Sequence, residues 1–305
     1  MNAFRRARVW LIPAFLAAAS LAAAAPRLTV AGQTWTVSNQ HYTAAFDAAA
    51  GGLLSALTWN ELPAEPVVTG QRVYTDWGIY EERTPVSSAF EHEPRMSHEE
   101  HGDALLITAE GPLTRDDRGP WDARRIRYAV SYLLNDSPTV AVRCSITPEF
   151  DADVEPAFMA HVMNATKHTE WFAHTQDGLV CEDALDHSDR TWQSALEPMD
   201  RARPFFGTVD RGSGLFVLLV PRDERTLDAC ENIFFHDSGQ GATAPFFAWF
   251  AGYRPQRLAA GEERVVEYSL TLGRAGLSGA RNAAKRSALP GAAAWGTFGA
   301  PSGRA

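Results

Sequence analysis

The feature that most constrains this chain is a pair of alternating runs on either side of a short polar turn. In residues 125–133 the apolar positions Ile126, Tyr128, Val130 and Tyr132 recur at every second place, with Arg125, Arg127, Ala129 and Ser131 between them. Asn135, Asp136, Ser137 and Pro138 come next, a composition that turns the chain. Val140, Val142, Cys144 and Ile146 then resume the same period. A period of two puts one set of side chains on one face of an extended strand, whereas a helix needs 3.6. Two such strands joined by so short a link pair antiparallel. Their apolar face must be covered by another layer, which points to an all-β sandwich.

The same signal recurs along the chain. In residues 41–60, Tyr42, Ala44 and Phe46 alternate with polar neighbours before a turn at residues 48–52, and residues 53–59 return. Gly51 and Gly52 supply the positive φ that such a turn needs. Residues 28–37 read as one or two short strands and 104–110 as another. Residues 204–209 and 214–220 read as a hairpin turned at Asp210, Arg211, Gly212 and Ser213. Residues 246–250 and 264–272 are late strands, the second with Val266, Tyr268, Leu270 and Leu272 inward. About a dozen strands are expected, and with 45% hydrophobic residues in 305 they fill one large all-β domain. Residues 183–200 read as a polar loop, 222–241 as irregular, and 277–289 as a short helix in an Ala- and Gly-rich tail. There is no internal repeat, no P-loop, no G-x-G-x-x-G, no G-x-S-x-G and no C-x-x-C.

The first residues read as an export signal. Arg5, Arg6 and Arg8 precede an apolar run at 9–21, and Ala22 to Ala25 give the small residues of a cleavage site. The run is short for a spanning helix, so no stable membrane anchor is expected. The expected division is a signal peptide at 1–25, a β-domain at 26–275 and a tail at 276–305. Cleavage lowers Lys plus Arg from 28 to 25 against 37 Asp plus Glu, leaving a net charge near −12. With no basic stripe, no nucleic-acid partner is expected. The location expected is the periplasm or the outside of the cell. Three cysteines, Cys144, Cys181 and Cys230, rule out a fully paired framework but allow one disulfide. Cys144 sits on the apolar parity of its strand and reads as a buried thiol.

The stretch 157–178 concentrates the side chains suited to chemistry. If residues 168–174 are extended, His168, Glu170, Phe172 and His174 share one face, and Trp171 takes the other. A His–Glu–His row beside an aromatic ring suits a sugar, with rings stacking on C–H faces and polar tips moving protons. A polar outer strand face with Trp171 in the core fits the same pattern. In residues 73–83, Trp77, Tyr80 and Glu81 are candidates to face a ligand, and core aromatics are the alternative there. Residues 91–103 hold His92, His98, His101 and four Glu, but in no metal-site spacing, so this segment is expected to be a mobile, solvated loop without metal. No cofactor is expected.

The hairpin running from Asn39 through Phe46, Asp47, Gly51 and Gly52 to Leu57 resembles the opening of galactose-mutarotase-like β-supersandwich domains. So does the pair around Asn135, Asp136, Ser137 and Pro138, and so does Leu258-Ala259-Ala260-Gly261-Glu262 leading into the last strand. Asn164-Ala165-Thr166-Lys167-His168-Thr169-Glu170-Trp171-Phe172 is similar to the mutarotase segment around its acid histidine. The resemblance spans roughly residues 37–273. It implies a large antiparallel β-supersandwich, a carbohydrate ligand and His168 as general acid. The enzyme reading of the residues adds Glu170, Glu81 or His174 beside it, with Trp77, Tyr80, Glu81 and Trp171 as candidates to bind the sugar. Two departures stand out. His98-Glu99-Glu100-His101-Gly102 lacks the Asn and second Gly of the family's second histidine loop. Residues 245–253 lack the family's catalytic Glu. Two functions lead: an exported carbohydrate-active enzyme, epimerase-, lyase- or hydrolase-like, or a non-catalytic glycan-binding or structural module. A third, a metal-dependent protein using the His92–His101 cluster, needs those side chains to converge on one ion.

Overall fold

The structure, a computed structural model, describes residues 25–62, 66–77, 84–88, 91–114, 126–163, 170–175, 178–183, 205–222, 234–237, 246–251 and 256–287. In chain order the strands are β1 (Arg27–Ala31), β2 (Thr34–Ser38), β3 (Tyr42–Asp47), β4 (Leu53–Trp59), β5 (Pro66–Trp77) and β6 (Thr84–Ser87). Next come β7 (Arg95–His101), β8 (Ala104–Pro112), β9 (Ile126–Leu134), β10 (Thr139–Pro148), β11 (Ala152–Met163), β12 (Glu170–Thr175) and β13 (Gly178–Asp183). The last are β14 (Phe206–Val209), β15 (Phe216–Pro221), β16 (Phe234–Asp237), β17 (Phe246–Ala251), β18 (Gln256–Leu258) and β19 (Arg264–Gly273), followed by helix α1 (Gly276–Ser287).

Two antiparallel sheets carry these strands. The first runs β1-β2-β3-β4-β5-β11-β17-β16, with β6 paired to β5 and β18 to β11. The second runs β13-β12-β14-β15-β19-β10-β9-β8-β7. One apolar cluster joins their inner faces. Val37, Tyr42, Phe46, Leu54 and Leu57 come from the first sheet, and Ile107, Tyr132, Val142, Val217 and Leu270 from the second. The alternation read in β9, β10 and β19 places its apolar set in this core, with Cys144 fully buried. The expected fold class, an antiparallel β-sandwich of the supersandwich kind, is the one observed.

The first hairpin shows how sequence sets local geometry. Asp47 caps a single 3-10 turn at Ala48–Ala50, its Oδ1 accepting from the Ala49 N–H at 2.8 Å. Gly51 leaves the turn at φ 72°, where a side chain is strained. A Cβ there would also collide with the Ser88 carbonyl. The Gly51 N–H donates to the Glu91 carbonyl at 2.7 Å, so the turn is closed from outside as well. The 210–213 hairpin is held by its own acid: Asp210 accepts from the Gly212 N–H and the Ser213 hydroxyl, at 2.8 and 2.6 Å.

A second apolar cluster lies on the outer face of the second sheet. Phe172, Phe205, Val209, Phe216, Leu218 and Val220 meet Ala280, Ala283 and Ala284 of α1. Strand β15 is therefore buried on both faces, which is why it reads as an unbroken apolar run. The tail read from sequence thus begins in a helix that covers the sheet.

Two segments differ from the sequence reading. Residues 95–101, expected in a mobile loop, form β7, paired with β8 at seven successive positions from Arg95 to His101. As the outermost strand of its sheet it exposes Arg95 and His98–His101, so no apolar alternation marked it. Charged side chains are the usual covering of such an edge. Residues 234–237, expected to be irregular, form β16, four residues paired to β17.

Candidate functional site

The stretch that concentrated the candidate residues crosses from one sheet to the other. Residues 157–163 finish β11, in the first sheet, and residues 170–175 form β12, in the second. His168, Tyr80 and Glu81 lie outside the described residues. Glu170 is the register partner of Asp183 and Val209, and Trp171 of Glu182 and Thr208. Trp77 stands in the first sheet, opposite Val154 and Thr84. So Glu170, Trp171 and His174 share one strand, and Trp77 belongs to the opposite layer.

Phe172, in the middle of the expected row, lies on the outer side of the second sheet, where α1 packs over β15. It is fully buried in the outer cluster, while its neighbour Ala173 belongs to the inner core. His174 is half-buried; its ring lies 5.3 Å from that of Phe205, tilted by 41°, and its N–H donates to the Phe205 carbonyl at 3.0 Å. The row thus borders a packed aromatic cluster.

In residues 91–103, His98 is exposed and its ring meets Trp35 edge-on at 5.8 Å. His101 bonds Glu99 at 3.1 Å. Among the described residues no group of three or more His, Cys, Asp or Glu side chains is placed to hold a metal ion.

A different pair is brought together by pairing across the first sheet. In β11, the register partners of His161 are Gly70 in β5 and Ala248 in β17, and Ala248 is in turn the partner of His236 in β16. His161 and His236 therefore stand at one level with a single alanine between them, roughly 9–10 Å apart along the sheet. Arg72 pairs with Met159, two residues along β11 and of the same parity. The β5 register slips just beyond this level, from Gly70 to Val68, a bulge of the kind that re-aims side chains beside sites. Neither histidine was marked in the sequence: the pairing of β11 with β17, and of β17 with the four-residue β16, is what brings them level.

Solved structures resemble the chain across most of its length. A galactose mutarotase related enzyme from Lactobacillus acidophilus covers 80% of this chain and 98% of its own, at TM-score 0.57 and 10% identity. A galactose 1-epimerase from Lactobacillus acidophilus NCFM covers 79% and 94%, at TM-score 0.55 and 8% identity. The chain has the galactose-mutarotase-like fold. It also matches a TPR-domain containing protein from Parabacteroides distasonis, at TM-score 0.54 and 12% identity over 78% of its residues, but spans only 46% of that protein. No protein-family model and no curated protein matches the sequence. At these identities the likeness to the mutarotase-like structures is one of fold, and activity must be argued from the residues.

Proposed function

We propose that the chain is an exported carbohydrate-active protein that acts on a sugar or polysaccharide by histidine acid/base chemistry, with His161 and His236 as the working pair. The observation that carries this reading is their shared register across Ala248 in β17. The interval suits a ring-sized ligand. Histidine titrates near 6.5, so one imidazole can accept a proton from a sugar hydroxyl while a second, protonated, donates to a ring or bridging oxygen. The likeness in fold to a galactose 1-epimerase supports the class of ligand.

The set read first from sequence, His168, Glu170 and His174 with Trp77, Tyr80, Glu81 and Trp171, is the competing assignment. A non-catalytic glycan-binding module is the second reading, favoured by β17, whose residues FFAWFA include no carboxylate.

The test is a sugar and oligosaccharide panel, read by calorimetry for binding and by polarimetry or reducing-end assay for turnover. Loss of both signals in His161→Ala or His236→Ala, with His168→Ala unaffected, supports the pair. Loss only in His168→Ala moves the site to the competing set. Binding without turnover leaves the module.

A further inference from the structure

We propose that the outer face of α1 is a docking surface for anionic phospholipid. Helix α1 is amphipathic in an unusual sense: one face is packed on the sheet, and every charge on the other is basic. Ala280, Ala283 and Ala284 are buried against β15. Arg281, Lys285 and Arg286 are exposed on the opposite side, with Asn282 between them. The packed face fixes the exposed one rigidly.

Charge along the chain is sharply divided. From Tyr268 to Ala305 there are five Lys and Arg and no Asp or Glu, in a chain whose net charge is −9. One of the five, Arg274, is taken up by Glu61, Nη1 to Oε2 at 3.1 Å, and does not belong to the patch. Lys285 and Arg286 in the last turn are explained in part by the helix dipole. Arg281 is not in that turn, and with Lys285 it forms a like-charge i, i+4 pair, which an isolated helix disfavours. A negative surface would offset that repulsion.

The composition of residues 288–305 favours a membrane over an acidic protein. They hold Leu289, Trp295 and Phe298 among Ala and Gly, with Arg304 and no acid. Basic residues succeeded by aromatics suit the lipid interface. The contact is electrostatic and reversible, distinct from an anchor, and independent of the sugar site.

The experiment is co-sedimentation of the full chain with vesicles of phosphatidylglycerol mixed with phosphatidylcholine, and with phosphatidylcholine alone. Each removed charge is expected to lower the partition coefficient about five-fold, so the triple variant Arg281→Gln, Lys285→Gln, Arg286→Gln falls about a hundred-fold. Added salt should weaken binding of the unmodified chain. Wild type and variant share residues 1–25, so any lipid affinity of that segment cancels. If the triple variant melts early, Arg281→Gln alone, outside the last turn, carries the test at about five-fold. Equal binding of wild type and variants overturns the proposal. So does failure to bind the anionic vesicles, or capture by a soluble polyuronate but not by vesicles.

Discussion

The hydroxyl of Tyr128, on β9 of the second sheet, donates to the carbonyl of Gly51 in the first at 2.9 Å. Four residues along the same strand, the Tyr132 hydroxyl accepts from the Leu54 N–H at 3.1 Å. Both bonds cross the sandwich interior and end on the β3–β4 hairpin, where the pairing slips between Ala45 and Phe46. Two tyrosines from the facing sheet thus bond backbone groups of this hairpin.

Tyr128→Phe removes one donor and leaves the buried Gly51 carbonyl unmatched. A loss of about 1–3 kcal/mol is expected, read as a lower urea midpoint with an unchanged slope. A variant as stable as wild type would mean that the hairpin is held by its other contacts alone.

The same burial makes the protein sensitive to base. Tyr42, Tyr128 and Tyr132 are all pushed well above the ordinary tyrosine range, in each case chiefly by burial; the charge of Glu91 adds to this at Tyr128. Their folded values exceed the unfolded one of about 10, so folding favours the neutral phenol. The stabilisation is complete below about pH 10 and is lost as pH rises from there toward the folded values. These three should ionise only as the chain unfolds. Tyrosinate absorbance followed together with circular dichroism checks this. Full ionisation while the sheet signal persists would contradict it.

How each residue is buried decides how much of the fold was legible in the sequence. Tyr128, Val130 and Tyr132 were readable because one face of β9 meets the core and the other does not. Phe216 to Pro221 gave an apolar run with no period, since α1 covers the outer face of β15. Nothing in residues 95–101 marked a strand, because an edge held by backbone pairing needs no apolar side chains. The placement of His161 against His236 depends on which strands neighbour one another. β11 pairs with β17 across more than eighty residues of sequence, and local pattern does not contain that pairing. Phe172 was read in the row on one face of β12, but the helix that packs on that side of the sheet, over β15, comes a hundred residues later.

Gly207 tests that helix-covered layer. It pairs with Phe172 and Leu218, and a Cβ built on it would lie 2.7 Å from the Phe172 ring and collide with the Val217 carbonyl. Gly207→Ala should cost at least as much as typical overpacking, about 1–3 kcal/mol, because backbone cannot swing aside as a side chain can. Phe172→Ala should cost about 3–5 kcal/mol by leaving a cavity in the outer apolar cluster. Combining the two relieves the ring clash, so the double variant should lose less than the sum. Thermal melts of the four proteins give the coupling, and strict additivity would mean that the ring does not press on residue 207.

The last prediction separates the two histidine sets by their place in the fold. If His161 serves a site and not the core, His161→Ala should shift the melting temperature by no more than a few degrees. If His161 and His236 work on a sugar, each alanine variant should lower turnover at least a hundred-fold, the range expected for one acid/base group. Their double variant should then lose little more than either single, as residues of one machine do. The pH profile of the wild type should be bell-shaped around neutrality, since one ring must be neutral while the other is protonated. His174→Ala behaves differently under this assignment: its ring packs on Phe205, so it should lower the melting temperature while leaving the pH profile intact. A flattened profile in His174→Ala, with His161→Ala unaltered, would return the chemistry to β12.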